Sequence, residues 1–169
     1  MKKFAAVILA ALCMAMASGS LAEEAPMEEG TPLSLTSPSA ILCEASTGRV
    51  IFEKNADERR PVASVNKVMT ILLTLEAIDD GRVTVNDRVT VSPRAASMGG
   101  SQAFLDAGES YKLGELLKSV IVASANDSAV ALAEYLSGAE EAFVRRMNER
   151  AQELGLENTN YVNCTGLPA

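Results

Sequence analysis

The chain has 169 residues, 48% of them hydrophobic, enough for one domain with a real core and too few for two large ones. Fifteen Lys and Arg against 22 Asp and Glu leave a net charge of −7 with no long basic run, which argues against a nucleic-acid partner. Histidine is absent, so a Ser-His-Asp triad, a Cys-His pair and a His-ligated zinc are all excluded.

At the N-terminus, Lys2 and Lys3 precede an apolar run from Phe4 to Ala17, and Ser20-Leu21-Ala22 supplies the small residues that a signal peptidase reads. This predicts a signal peptide over residues 1–22 and an exported protein of the cell envelope. An uncleaved anchor is the competing reading, for which the run is short. Cys13 follows Leu12 rather than a small residue, so it is not read as a lipidation site. Residues 23–38, rich in Glu, Pro, Thr, Ser and Gly, read as a linker. Beyond it stand Cys43 and Cys164, too few and too far apart for a disulfide framework, and expected to be two unpaired, small buried side chains.

Ala40–Glu44 and Arg49–Glu53 are short apolar runs around Ala45-Ser46-Thr47-Gly48, which predicts a β-hairpin with glycine in the left-handed turn position. A polar connector, residues 55–61, leads to a helix that opens near Ser64 and ends at Asp79-Asp80-Gly81. Apolar residues on every side of that helix predict burial nearly all round. Val83–Val85 and Arg88–Val91 alternate like short strands or extended segments, and Ser97–Ser101 is too glycine-rich for a regular element. Leu113–Val122 predicts a second apolar helix. Ala129–Leu136 is a third, preceded by Ser124-Ala125-Asn126-Asp127, which taken alone is a capping box. The last helix, Ala139–Leu154, carries Phe143, Met147 and Leu154 on one side; residues 158–169 read as irregular.

Ser64 and Lys67 carry the chemistry. Their spacing stacks both side chains on one helical face. Capping by Ser64 would favour Glu or Gln at the third following position, where this chain has a cation. A lysine at the positive end of a helix and among apolar neighbours is disfavoured twice, a conflict that sequences tolerate at working sites. Such a pair can run acyl transfer without histidine if Lys67 is neutral when it takes the hydroxyl proton. Bringing a lysine from about 10.4 to half-neutral at pH 7 costs about 4–5 kcal/mol, and burial and the helix end both act in that direction. The same helix end could hold the Ser64 N–H toward a developing oxyanion.

Ser64-x-x-Lys67 followed by Ser124-Ala125-Asn126 resembles the first two motifs of the penicillin-binding proteins and serine β-lactamases. Pro61–Thr70, Ser97–Gln102 and Val122–Asp127 together resemble the low-molecular-mass D-alanyl-D-alanine carboxypeptidases, over about Ser39 to Pro168. The resemblance implies an α/β (α+β) fold of the serine transpeptidase/β-lactamase type. Residues 39–169 would supply its N-terminal portion, with the hairpin and the helical subdomain present and the other sheet strands missing.

It further implies that Ser64 is the nucleophile attacking the terminal D-Ala-D-Ala bond of a peptidoglycan stem peptide. Lys67 would be its base, Ser124 the relay to the leaving amine, and Asn126 a substrate-binding residue that hydrogen-bonds either Lys67 or the substrate amide. β-Lactams would acylate Ser64. No cofactor or metal is implied, and a longer form could associate with a membrane.

The family's third motif, Lys-Thr-Gly, is absent from these residues, so a truncated product with little or no activity alone is expected. Two other readings compete. A non-catalytic envelope protein could bind peptidoglycan or a partner through the same fold. A class A β-lactamase would need a Glu-x-x-x-Asn segment, which does not occur here.

Overall fold

The structure is a computed structural model that describes residues 34–168. The expected signal peptide and most of the linker lie outside the described residues. The chain divides into two compact units between Ala56 and Asp57.

The first unit holds the predicted hairpin. Strand β1 (Ala40–Cys43) pairs antiparallel with β2 (Val50–Lys54), Ala40 facing Lys54 and Leu42 facing Phe52, with a register shift between Leu42 and Cys43. Gly48 takes the turn at φ +72°, as the sequence predicts. The Glu44 carboxylate accepts from the Ser46 and Thr47 hydroxyls, which hold its pKa below the usual carboxylate value. One expectation fails here: Cys43 is exposed. It sits beside the register shift, and most of this short hairpin, Ile41, Leu42, Val50 and Ile51 included, is open to solvent.

The second unit is mainly helical. A 3-10 turn (Ala63–Asn66) runs into α1 (Lys67–Asp79). Strand β3 (Arg88–Thr90) pairs antiparallel with β4 (Ser110–Lys112). Between them lies the short helix α2 (Pro93–Ala96), capped by Ser92 Oγ accepting from the Ala95 N–H at 2.9 Å. Helices α3 (Leu113–Ala123), α4 (Asn126–Ser137) and α5 (Glu140–Glu153) complete the unit. Val83–Val85 forms no strand. The chain instead turns there, with the Asp87 carboxylate accepting from the Thr84 N–H at 3.0 Å and the Thr84 hydroxyl at 2.6 Å.

Helix α4 is the axis of the core. Its first two turns, Asn126 through Ala133, are all buried, and its alanines let the neighbouring helices approach closely. Met69, Leu73 and Ala77 of α1, Leu113, Leu116, Leu117 and Val120 of α3, and Phe143, Met147 and Ala151 of α5 fill the remaining volume. Burying each of the larger of these apolar side chains is worth about 1.5–3 kcal/mol. In α5 the buried stripe is Phe143, Met147 and Ala151; Leu154, expected in it, lies past the helix end and is exposed.

Helix α1 is not buried all round. Its covered face is Met69, Thr70, Leu73, Thr74 and Ala77, while Val65 in the preceding turn and Val68 and Leu75 in the helix face solvent. An apolar composition permits cover on every side; it does not supply the elements that cover it.

Candidate active site

Ser64 lies in the 3-10 turn just before α1, exposed and accessible. The residue before it, Ala63, has φ +47°, a left-handed conformation costing a non-glycine residue about 1–2 kcal/mol. Lys67 is the first residue of α1 and only 2% exposed. Its Nζ donates to Ser64 Oγ at 3.2 Å and to the Thr165 carbonyl at 2.8 Å. Ser64 does not cap the helix: the N-cap is Asn66, with no side-chain cap bond. Burial pushes the Lys67 pKa below its ordinary value, an effect the nearby Cys164 thiol opposes in part.

The second wall of this site is the segment 161–167, which sequence reasoning treated as irregular. Three consecutive carbonyls face α1 and the turn before it. Asn66 Nδ2 donates to Asn163 at 3.0 Å, Thr70 Oγ1 to Cys164 at 2.8 Å, and Lys67 to Thr165. The Asn163 side chain shapes the segment, accepting from the Thr165 and Gly166 N–H groups at 3.1 and 2.7 Å and donating to the Leu167 carbonyl at 2.8 Å. Gly166, at φ +80°, packs against the Ala63 carbonyl so closely that a Cβ there would overlap it. Two signals for this contact were present in the sequence: the Asn-Cys-Thr-Gly turn chemistry, and Asn66, Thr70 and Thr74 recurring on the Lys67 side of an otherwise apolar helix.

Ser124 and Asn126 occupy the corner between α3 and α4. Ser124 is half-buried and left-handed at φ +55°, the C-cap of α3. Asn126 is 3% exposed; its backbone N–H donates to the Ser101 carbonyl at 2.8 Å and its Nδ2 to the Gly99 carbonyl at 2.7 Å. Its Oδ1 is buried with no hydrogen-bond partner among the described residues. Gly100 sits over this side chain, where a Cβ would come within 2.8 Å of Nδ2.

The capping-box reading of Ser124 and Asp127 fails. The N-cap of α4 is Ala125, and the Asp127 carboxylate accepts instead from the N–H groups of Ala103, Leu105 and Ser128 at 2.8–3.1 Å. Asp127 thus anchors the segment that follows the glycine loop, at Ala103 and Leu105, against the start of α4. Sequence reasoning missed that role because the partners are 22 and 24 residues away.

Ser64 and Lys67 are therefore joined directly, and Asn126 is tied to the glycine loop. Among the described residues no hydrogen bond links Ser124 or Asn126 to either of them. No group of His, Cys, Asp and Glu among the described residues could hold a metal ion, and none of their helices is long and apolar enough to cross a membrane. An exposed hydroxyl beside a buried lysine of lowered proton affinity is a pairing whose chemistry suits proton transfer.

Known proteins share this arrangement of elements. The D-alanyl-D-alanine carboxypeptidase family profile (Peptidase S11) matches residues 24–169. The D-alanyl-D-alanine carboxypeptidase DacF of Bacillus subtilis is 52% identical over 129 residues, which are 76% of this chain and 33% of that protein. The crystal structure of the D-alanyl-D-alanine carboxypeptidase DacD from Francisella tularensis superposes with a TM-score of 0.82 at 34% identity, covering 90% of this chain and 37% of that one. Penicillin binding protein 5 from Haemophilus influenzae gives 0.79 at 34% identity, over 82% and 41%. The chain spans about a third of the length of DacF and under half of the two solved structures. With a mixed α/β fold like theirs and a profile match over all but its first 23 residues, the chain belongs to the D-alanyl-D-alanine carboxypeptidase family.

Proposed function

We propose that the protein is a D-alanyl-D-alanine carboxypeptidase that removes the terminal D-alanine of peptidoglycan stem peptides through an acyl-enzyme on Ser64, as an exported protein of the cell envelope. The observation that carries this reading is the 3.2 Å approach of Lys67 Nζ to Ser64 Oγ, with the lysine buried and the serine exposed.

When Lys67 is neutral, its lone pair takes the Ser64 proton as Oγ attacks the carbonyl carbon of the scissile bond. Burial lowers the cost of that neutral state. The oxyanion that forms lies toward the Ser64 N–H at the helix start. Lys67 gives the Ser64 proton to Ser124 as Ser124 passes its own to the nitrogen of the leaving D-alanine, the C–N bond breaks, and an ester remains on Ser64 with Lys67 neutral again. Water then cleaves the ester and regenerates the hydroxyl. Asn126 holds the substrate amide: with Nδ2 committed to Gly99, its Oδ1 is the acceptor left for an N–H group, and its burial requires the substrate to open the glycine loop that covers it.

A β-lactam presents the same kind of acyl group and would remain on Ser64. Incubation of the longest product of the gene with a fluorescent penicillin tests this. Covalent label that Ser64→Ala abolishes is expected. A wild-type protein without label, or label that survives Ser64→Ala, would overturn the reading.

A further inference from the structure

We propose that Glu140 is a positioning residue for Lys67, acting through the segment 163–166 by fixing the Cys164 N–H so that the Thr165 carbonyl stays on the lysine. This rests on the reading of Lys67 as the base.

The segment that seats Lys67 presents three successive carbonyls to one side, which regular extended backbone does not do because successive carbonyls alternate. Its N–H groups must therefore be held on the other side. Asn163 holds those of Thr165 and Gly166. The Cys164 N–H is held by Glu140, whose Oε1 accepts it at 3.3 Å and lies 3.3 Å from the Cys164 thiol. Glu140 is the first residue of α5 and only 8% exposed, so its carboxylate is set by a rigid element. Its other oxygen accepts from Arg94 at 2.9 Å, which balances the buried charge. One carboxylate thus spans α2, α5 and the segment that bears on the base.

The consequence falls on the charge state of Lys67. Among the described residues the groups around it are few: Ser64 and Thr165 are its hydrogen-bond partners, the Cys164 thiol is the nearby ionisable group, and Glu140 stands behind that thiol with Arg94. Burial is what keeps the lysine's proton affinity low. If the segment lifts, water reaches Nζ and the proton affinity returns toward that of a free lysine.

Two conservative variants separate positioning from simple charge balance. Glu140→Gln keeps an acceptor at the same reach and loses the charge; Glu140→Asp keeps the charge and withdraws the acceptor by one methylene. The 169-residue chain, labelled with 13C at lysine Cε, is titrated by NMR, with the Lys67 signal assigned from Lys67→Arg. The Lys67 midpoint is expected to rise toward the ordinary lysine range in Glu140→Asp and to stay near wild type in Glu140→Gln. The reverse pattern, or no movement in either variant, would overturn the proposal. Should one variant not fold, Arg94→Ala replaces it: the Cys164 contact survives, so an unmoved midpoint is expected and a raised one counts against positioning. The measurement needs no penicillin, so a protein that takes no label would defeat the function proposed above while this readout still decides the role of Glu140.

Discussion

Gly166 leaves no room for a side chain against Ala63, the residue that precedes Ser64. Ala63 is itself held at positive φ, so the two backbones meet where both are conformationally unusual, φ +80° and +47°. The turn that aims Ser64 is thereby braced from a point about a hundred residues further along the chain.

Replacing this glycine tests the brace. Gly166→Ala pushes residue 166 away from Ala63 and from the Asn66 Cβ, which its own Cβ would approach to 2.8 Å, and it places a side chain at positive φ. The expected loss is about 2–4 kcal/mol, from overpacking and backbone strain together. Urea denaturation of the variant beside wild type measures it; an equal midpoint would show that the turn yields without cost.

The buried lysine should leave its mark on stability as a function of pH. Its folded-state pKa is below the ordinary 10.5, so the unfolded chain binds the proton more readily than the folded one. The destabilisation is present in full at pH values under the folded pKa. It is relieved as pH rises from that value to 10.5. Wild type should therefore gain stability relative to Lys67→Met through that window, measured as the difference between their denaturation free energies at each pH. A difference that stays flat or falls would mean that burial does not disfavour the charged amine.

Asp127 should govern the segment after the glycine loop, at Ala103 and Leu105, rather than the helix in whose first turn it lies. Asp127→Asn removes the charge behind the bonds from Ala103, Leu105 and Ser128, at an expected cost of about 1.5–3 kcal/mol. Amide exchange at Ala103 and Leu105 should accelerate, while the amides in the middle of α4 keep their protection. Uniform acceleration along α4 would instead restore the capping role that the sequence suggests.

Several elements were readable because their causes are local. The hairpin turn needs a residue that tolerates positive φ, and Gly48 provides it. The Lys67 misfit at the start of an apolar helix marked the site because it conflicts with its immediate neighbours. Helix α2 could have been found from Ser92-Pro93 alone, a cap followed by proline at the first helical position. Strand β4 could not, since three residues carry too little pattern and its partner lies some 22 positions earlier.

By itself the sequence determined which groups could do chemistry: no histidine, one lysine placed three residues after a serine, and a Ser-Ala-Asn segment further on. Those are matters of composition and of spacing over a few neighbouring residues. Only the tertiary structure decided what surrounds them. It buried Lys67 under the Thr165 carbonyl, turned Asp127 from a cap into a loop anchor, left Val65, Val68 and Leu75 in solvent, and made the segment 161–167 part of the site. The physical reason is the same in each case. Burial and the pairing of a buried polar group depend on what packs against it from distant parts of the chain, which no local pattern encodes.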